Sequence, residues 1–184
     1  MMQELSLNIL DLAENSVAAG ARLVEIEVAQ RREADELTIA ITDDGHGMDE
    51  ALLREATSPF ATTRTSRKVG LGIPLMKQTA EECGGGIEIE STPGVGTRLK
   101  ATFGLTNIDR PPMGDLAGTM LALIAATPEG TDFTLTYRVD EASFAFDTQP
   151  VRELMGSIPL TNPEVYEWIS GALYEGIESI DGGA

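Results

Sequence analysis

The chain has 184 residues, 42% of them hydrophobic and 23% charged, which is enough to bury a core without cross-links. Its formal net charge of −17 argues against nucleic acid as the main partner, because phosphate binding needs a basic footprint. The single cysteine, Cys83, rules out an internal disulfide and reads as a small buried side chain rather than a redox centre. No apolar run approaches the roughly 20 residues of a membrane span, and the first residues lack the basic region of a signal peptide, so a soluble, cytoplasmic protein without membrane contact is expected.

Residues 3–19 are predicted to form a helix, since Leu5, Ile9, Leu12 and Ala13 recur at helical spacing and Gly20 is a natural stop. Asn8, Asp11 and Asn15 share one face of it. RLVEIEVA (22–29) and ELTIAIT (36–42) alternate apolar and polar residues, which predicts two half-buried strands joined as a hairpin through RREAD. MDEALLREA (48–56) reads as a short helix with Asp49 and Glu50 near its positive end. SPFATTRTSRK (58–68) has no periodicity and reads as a loop. VGLGIPLMKQTAEECGG (69–85) is a glycine-containing turn running into a helix, and IEIES (87–91) and TRLKATF (97–103) form a second hairpin through TPGVG.

The composition shifts near NIDRPPMGD (107–115), where a boundary is expected between residues 1–108 and a small C-terminal α/β module, 109–184. That module is predicted to contain a helix at 116–126, strands at 132–139 and 143–147, and a helix at 149–156. A last helix opens with Asn162 and Pro163 and carries Val165, Trp168, Ile169 and Leu173 along one face. With 13 acids and 3 bases, the module presents either a solvated acidic surface or a docking face. Helices gathered on one face of a mostly antiparallel sheet make an α+β two-layer sandwich.

Three separated segments carry chemistry together. Gly70-Leu71-Gly72 opens a helix, where free N–H groups and the helix dipole suit a phosphate, although an ordinary strand–helix turn has the same pattern. The preceding residues 61–68 hold Arg64, Arg67 and Lys68 and no acid, interleaved with Thr62, Thr63, Thr65 and Ser66, which suits a lid over a polyphosphate. Asp11 and Asn15, four apart on a helix, can reach one bound group: a carboxamide oxygen suits Mg²⁺, and a carboxylate can orient or deprotonate an attacking group. Alternatively they are the polar outer face of an amphipathic helix. Asp43-x-Gly45-x-Gly47 ends a strand and can set a carboxylate and bare backbone against a flat ring with an exocyclic amine, or simply make a tight turn.

These segments resemble, in order and spacing over residues 3–104, the Bergerat-fold ATP-binding superfamily of histidine-kinase catalytic domains, anti-sigma serine kinases, mismatch-repair ATPases, type II topoisomerases and a heat-shock chaperone. DLAENSVAAGA is similar to the N box, which implies Asn15 as the Mg²⁺ ligand and Asp11 in the general-base slot. ITDDGHGM resembles the first glycine box, which implies Asp43 on the adenine amino group with Gly45 and Gly47 lining the base. SPFATT resembles the segment leading through Phe60 into the ATP lid, where Thr62, Thr63, Arg64 and Lys68 fall. VGLGIPL resembles the second glycine box, with Gly70, Leu71 and Gly72 at the phosphates, and GGGIEIESTPGVGTRLKATF the closing hairpin, where Thr97 shares the adenine-side polar network with Asp43. The run from SPFATT through GVGT is most similar to histidine kinases. Many members have Glu where this chain has Asp11, which leaves Glu14 as an alternative carboxylate. Many kinases carry an additional Gly in place of Lys68.

The resemblance implies ATP and Mg²⁺ as cofactors. A self-contained histidine kinase carries its phosphoaccepting His on a helix upstream of this domain. Here the only histidine, His46, occupies the variable slot of the adenine loop and reads as a spacer. The expected phosphoacceptor, a His or a Ser/Thr, is therefore on a separate partner protein; the alternative is an ATP-dependent switch with slow turnover that controls partner binding. A homodimer is left open.

Overall fold

The computed structural model describes residues 4–58, 72–127 and 130–181. Helix α1 (Leu5–Ala18) is followed by the hairpin β1 (Leu23–Arg31) and β2 (Glu36–Asp43), then α2 (Glu50–Ala56) and α3 (Gly72–Glu82). A second hairpin, β3 (Gly86–Thr92) and β4 (Gly96–Gly104), leads to α4 (Leu116–Ala126), β5 (Asp132–Val139), β6 (Ala142–Asp147), α5 (Thr148–Met155) and α6 (Pro163–Asp181). The strands form one sheet in the order β3-β4-β2-β1-β5-β6. Every neighbouring pair is antiparallel except β1 and β5, which are parallel.

Period-2 patterning sets which face is buried. Ile89, Leu99, Ile41, Ile26, Leu135 and Phe146 lie in one cross-strand row, one residue from each strand, and Ile87, Ala101, Ile39, Val28, Tyr137 and Phe144 lie in the next. Both rows join one apolar core. The opposite face carries rows such as Glu90, Arg98, Thr42, Glu25, Thr134 and Asp147, whose charges suit water. Helix α3 packs on β3 and β4, α1 on β1 and β2, α4 on α1 and β5, and α6 on β5, β6 and α4. This is the expected two-layer α+β arrangement of mixed sheet and helices.

The residues after 108 are continuous with this framework. The connection before α4 runs against the start of α1, where Leu5 and Ser6 donate backbone hydrogen bonds to Pro112 and Met113 at 3.0 and 2.8 Å. The Thr119 hydroxyl on α4 donates to the Ser6 carbonyl at 3.1 Å. Strand β5 then lies along the whole of β1, from Leu23 opposite Asp132 to Gln30 opposite Val139. The segment that composition marks off as a module thus completes the same sheet and core. Ile169 and Leu173 of α6 are fully buried, whereas Trp168, expected on their face, is 60% exposed, because a residue adjacent to a buried position on a helix turns by about 100° away from it. Leu173→Ala is expected to cost about 3 kcal/mol. Denaturant unfolding should show one cooperative transition moved to lower midpoint, whereas a separate early transition would mean that the C-terminal elements fold on their own.

Cys83 is 1% exposed. Burial first, and then the charge of Asp109, push its thiol up, which disfavours the reactive thiolate and suits a packed side chain. Among the described residues no helix is long and apolar enough to cross a membrane.

Candidate functional site

A cleft of about 620 Å³ opens between α1, α2, the end of β2 and β4. Leu12, Ile41, Leu99 and Ile73 are apolar lining residues supplied by α1, the sheet and α3, joined by Met48, Leu52 and Ala56 and by Ala18 and Ala19. Its polar members are few: Asn15, Ser16, Asp43, His46 and Thr97. An apolar slot of this size with a handful of convergent polar groups is the form of a small-molecule site, here suited to a flat ring with one hydrogen-bonding edge.

Asp43, the last residue of β2, is held from two sides. The Ser16 hydroxyl donates to its Oδ2 at 2.6 Å and the Gly45 N–H donates to its Oδ1 at 2.9 Å. Both bonds fix the carboxylate and leave each oxygen a second lone-pair direction. Its neighbour Asp44 does different work: its Oδ1 accepts the N–H groups of Arg22 and Leu23 at 2.7 and 2.9 Å, tying the loop to the start of β1. The adjacent aspartates are thus split between a cleft-facing group and a structural clamp. Ser16 escaped the sequence reading. Its signal is a small polar residue four positions after Leu12 on the buried stripe Leu5, Ile9, Leu12. Ser16→Ala is expected to weaken nucleotide binding about tenfold, by freeing the Asp43 carboxylate, with little change in the melting temperature; titration calorimetry and a thermal melt check the pair.

The glycines explain the close approach of backbone around Asp43. Gly47 has φ +66°, and a Cβ there would lie 2.1 Å from the Thr92 carbonyl oxygen. Gly96 has φ +138°, and a Cβ there would lie 1.9 Å from the carbonyl oxygen of Asp43. The β3–β4 turn is therefore pressed against the Asp43 loop, and Gly94 donates to the His46 carbonyl at 2.8 Å. His46 is exposed; its N–H donates to the Ala19 carbonyl at 2.9 Å, and its ring Nδ1 lies 2.7 Å from the Gly47 carbonyl oxygen. Since a carbonyl only accepts, Nδ1 carries the proton. His46 thus lines the cleft as well as spacing the two glycines.

Asn15, Asp43, Gly47 and Thr97 come together in this cleft, although Asn15 and Thr97 are far from Asp43 in sequence. Thr97 faces Asp43 across the β2–β4 ladder, but its hydroxyl is hydrogen-bonded to Ser91 at 2.8 Å, and Ser91 Oγ in turn accepts the Met48 N–H. Gly45 is buried behind the cleft, where a Cβ would meet the Ala19 side chain at 2.9 Å. Asp11 and Glu14 are exposed on α1 and do not line the cleft. Asp11 lies by the first residue of α3, since a Cβ on Gly72 would be 3.4 Å from its Cβ. Phe60, Thr62, Thr63, Arg64, Lys68, Gly70 and Leu71, and with them the expected lid, lie outside the described residues. Asn8, 2% exposed, donates to the Gly72 carbonyl at 3.2 Å, and its Oδ1 has no partner among the described residues. One turn from Asp11, an orphaned buried acceptor costs about 1–3 kcal/mol unless something donates to it.

The family described as histidine kinase-, DNA gyrase B- and HSP90-like ATPases matches residues 1–107. The chain belongs to this family. ATP binding in a kinase-like class is what this ATPase domain brings. Relatives of the domain are parts of longer proteins. It is 34% identical over 109 residues to a protein of Shewanella frigidimarina named for a sensor role, covering 58% of this chain and 17% of that one. It is 34% identical over 79 residues to the nitrogen regulation protein NtrY of Azorhizobium caulinodans, covering 42% and 10%. The alginate biosynthesis sensor protein KinB of Pseudomonas aeruginosa is 32% identical over 90 residues, covering 48% and 15%. The chain therefore spans under a fifth of the length of these relatives. The ATPase-domain fold also matches the crystal structure of the N-terminal domain of a DNA repair protein, with a TM-score of 0.53 and 14% identity, covering 78% of this chain and 52% of that one.

The donor set fits Mg²⁺ brought by a triphosphate. Among the described residues no group of three or more His, Cys, Asp and Glu could hold a metal by itself. Asn15, however, lines the cleft and carries a carboxamide, and a hard cation that keeps its waters and phosphate ligands needs only one such oxygen.

Proposed function

We propose that the protein binds ATP with its adenine in the apolar cleft and transfers the γ-phosphate to a separate partner protein, on a His or a Ser/Thr side chain. The observation that carries this reading is the Asp43 carboxylate, fixed by Ser16 and Gly45 at the edge of an apolar slot and still able to accept from the adenine amino group. In this reading Gly47 and Thr97 border the base. Asn15 holds Mg²⁺, which when bound offsets charge on the phosphates. The start of α3 at Gly72 faces the phosphates, and the lid expected from Thr62, Thr63, Arg64 and Lys68 covers them. Asp11 orients the acceptor. The acceptor oxygen or nitrogen forms the new bond to the γ-phosphorus, the bond from that phosphorus to the bridging oxygen breaks, and ADP leaves with the electron pair; a hydroxyl acceptor gives its proton to Asp11.

The test is incubation of γ-labelled ATP with the protein and its cellular partners. Transfer of label to a partner, lost in Asp11→Asn with ATP affinity kept, supports the reading. Absence of any labelled protein, with ATP turnover unchanged in Asp11→Asn, removes it.

A second reading, an ATP-dependent switch, is favoured by one packing relation: α1 carries Asn15 and Ser16, packs on α4, and α4 packs on α6. Ligand differences at α1 then bias the surface that α6 presents. If partner affinity is equal with ATP, with ADP and without nucleotide, the switch is excluded.

A further inference from the structure

Helix α6 lies beyond the family match, and its outer face has no part in the cleft. Ile169 and Leu173 anchor its inner side, yet Trp168, the only tryptophan of the chain, is 60% exposed. An aromatic of that size usually buries most of its surface. By helical spacing Val165 and Ala172, both half-buried, flank it at i−3 and i+4, while the exposed Glu164, Gly171 and Glu175 lie along its outer side. A Cβ on Gly171 would meet nothing within 4 Å, so open space lies beside the indole. Helix α6 contains no Lys or Arg, and among the described residues none of its glutamates is in an ion pair. Glu164 with Glu167, and Glu175 with Glu178, are like charges three apart, an arrangement that weakens a helix unless cations meet it.

We propose that this face is the docking site for a basic, aliphatic-bearing segment of a partner protein. The indole with Val165 and Ala172 takes an aliphatic or guanidinium group, and Glu164, Glu167 and Glu175 pair with Lys or Arg around it. A second copy of this chain would bring two sets of unpaired carboxylates together, and an anionic lipid surface would meet the same repulsion. The proposal is independent of the nucleotide reading.

Because Trp168 is the sole tryptophan, its emission reports on this face alone. The probe is a fluorescently labelled synthetic amphipathic helix of Leu and Arg, titrated against the full chain and followed by anisotropy and by Trp168 emission. Saturable binding with a changed Trp168 emission is expected. Trp168→Ala should weaken it about tenfold, and the double variant Glu164→Gln/Glu175→Gln to a similar extent with a shallower salt dependence. Glu88→Gln/Glu90→Gln, on exposed positions of β3, should leave affinity within about twofold. Equal losses in the α6 and β3 variants would reduce the interaction to general acidity and overturn the proposal, as would unchanged Trp168 emission at saturation. A concentration-dependent dimer in sedimentation that Trp168→Ala abolishes would instead assign the face to a second copy. The double Glu variant keeps the core intact, so the test stands even where Trp168→Ala perturbs folding.

Discussion

Asp43→Asn is expected to weaken ATP binding by about a hundredfold or more, equivalent to about 3 kcal/mol, while leaving the fold intact. The substitution preserves size and removes one acceptor. Asp43 uses one oxygen to accept from the Ser16 hydroxyl and the other to accept from the Gly45 N–H. An amide has one oxygen for both tasks. If the NH₂ faces Gly45, two donors confront each other; if it faces Ser16, the hydroxyl must turn and the cleft gains a donor where the adenine amine also donates. Hydrogen bonds to a charged acceptor contribute about 1.5–3 kcal/mol, and the mispaired amide adds its own cost. Titration calorimetry reads the affinity and far-UV circular dichroism the fold. Wild-type affinity in a folded Asp43→Asn protein would remove Asp43 from the adenine site.

Gly96→Ala is expected to cost several kcal/mol of stability and to abolish nucleotide binding along with it. Two effects add here. The backbone sits at φ +138°, outside the range of residues with a side chain, and the new Cβ would lie 1.9 Å from the carbonyl oxygen of Asp43. Relief requires β4 to move off β2 at the pair Thr97 and Asp43, which are cross-strand partners. Gly94→Ala, at φ +76° with open space around it, is the control and should cost about 1–2 kcal/mol. Equal midpoints for the two variants in denaturant would show that the β3–β4 turn tolerates movement and that the contact on Asp43 is not needed.

Most elements were legible because their patterns are regular. Alternation at 22–29, 36–42, 87–91, 97–103 and 132–139 marked strands, and Asn162-Pro163 marked the start of α6. Which strand pairs with which was not legible: Phe133, Leu135 and Tyr137 alternate identically for a parallel or an antiparallel neighbour, and their partners Val24, Ile26 and Val28 lie more than a hundred residues earlier. At the site, the resemblance named Asp43, Asn15, Gly47 and Thr97, which line the cleft, and Asp11, Gly45 and Gly72, which do not. It did not name Ser16, Asp44 or Gly96, because their work is done on backbone and on other side chains rather than on a ligand. Trp168 was misplaced because a stripe of period 3.6 leaves the residue at i+3 on its margin, where burial depends on the neighbour and not on the pattern.

The parallel pairing of β1 with β5 has a practical consequence. β1 contributes Val24, Ile26 and Val28 to the core, and its outer edge is satisfied along its length by residues 132–139. A fragment cut at the limit of the family match would leave that edge as a long, unguarded row of amide and carbonyl groups beside bare apolar surface, a template for intermolecular strand addition. Such a fragment would associate through β1 and emerge as soluble oligomers or insoluble aggregate rather than as a free-standing nucleotide domain.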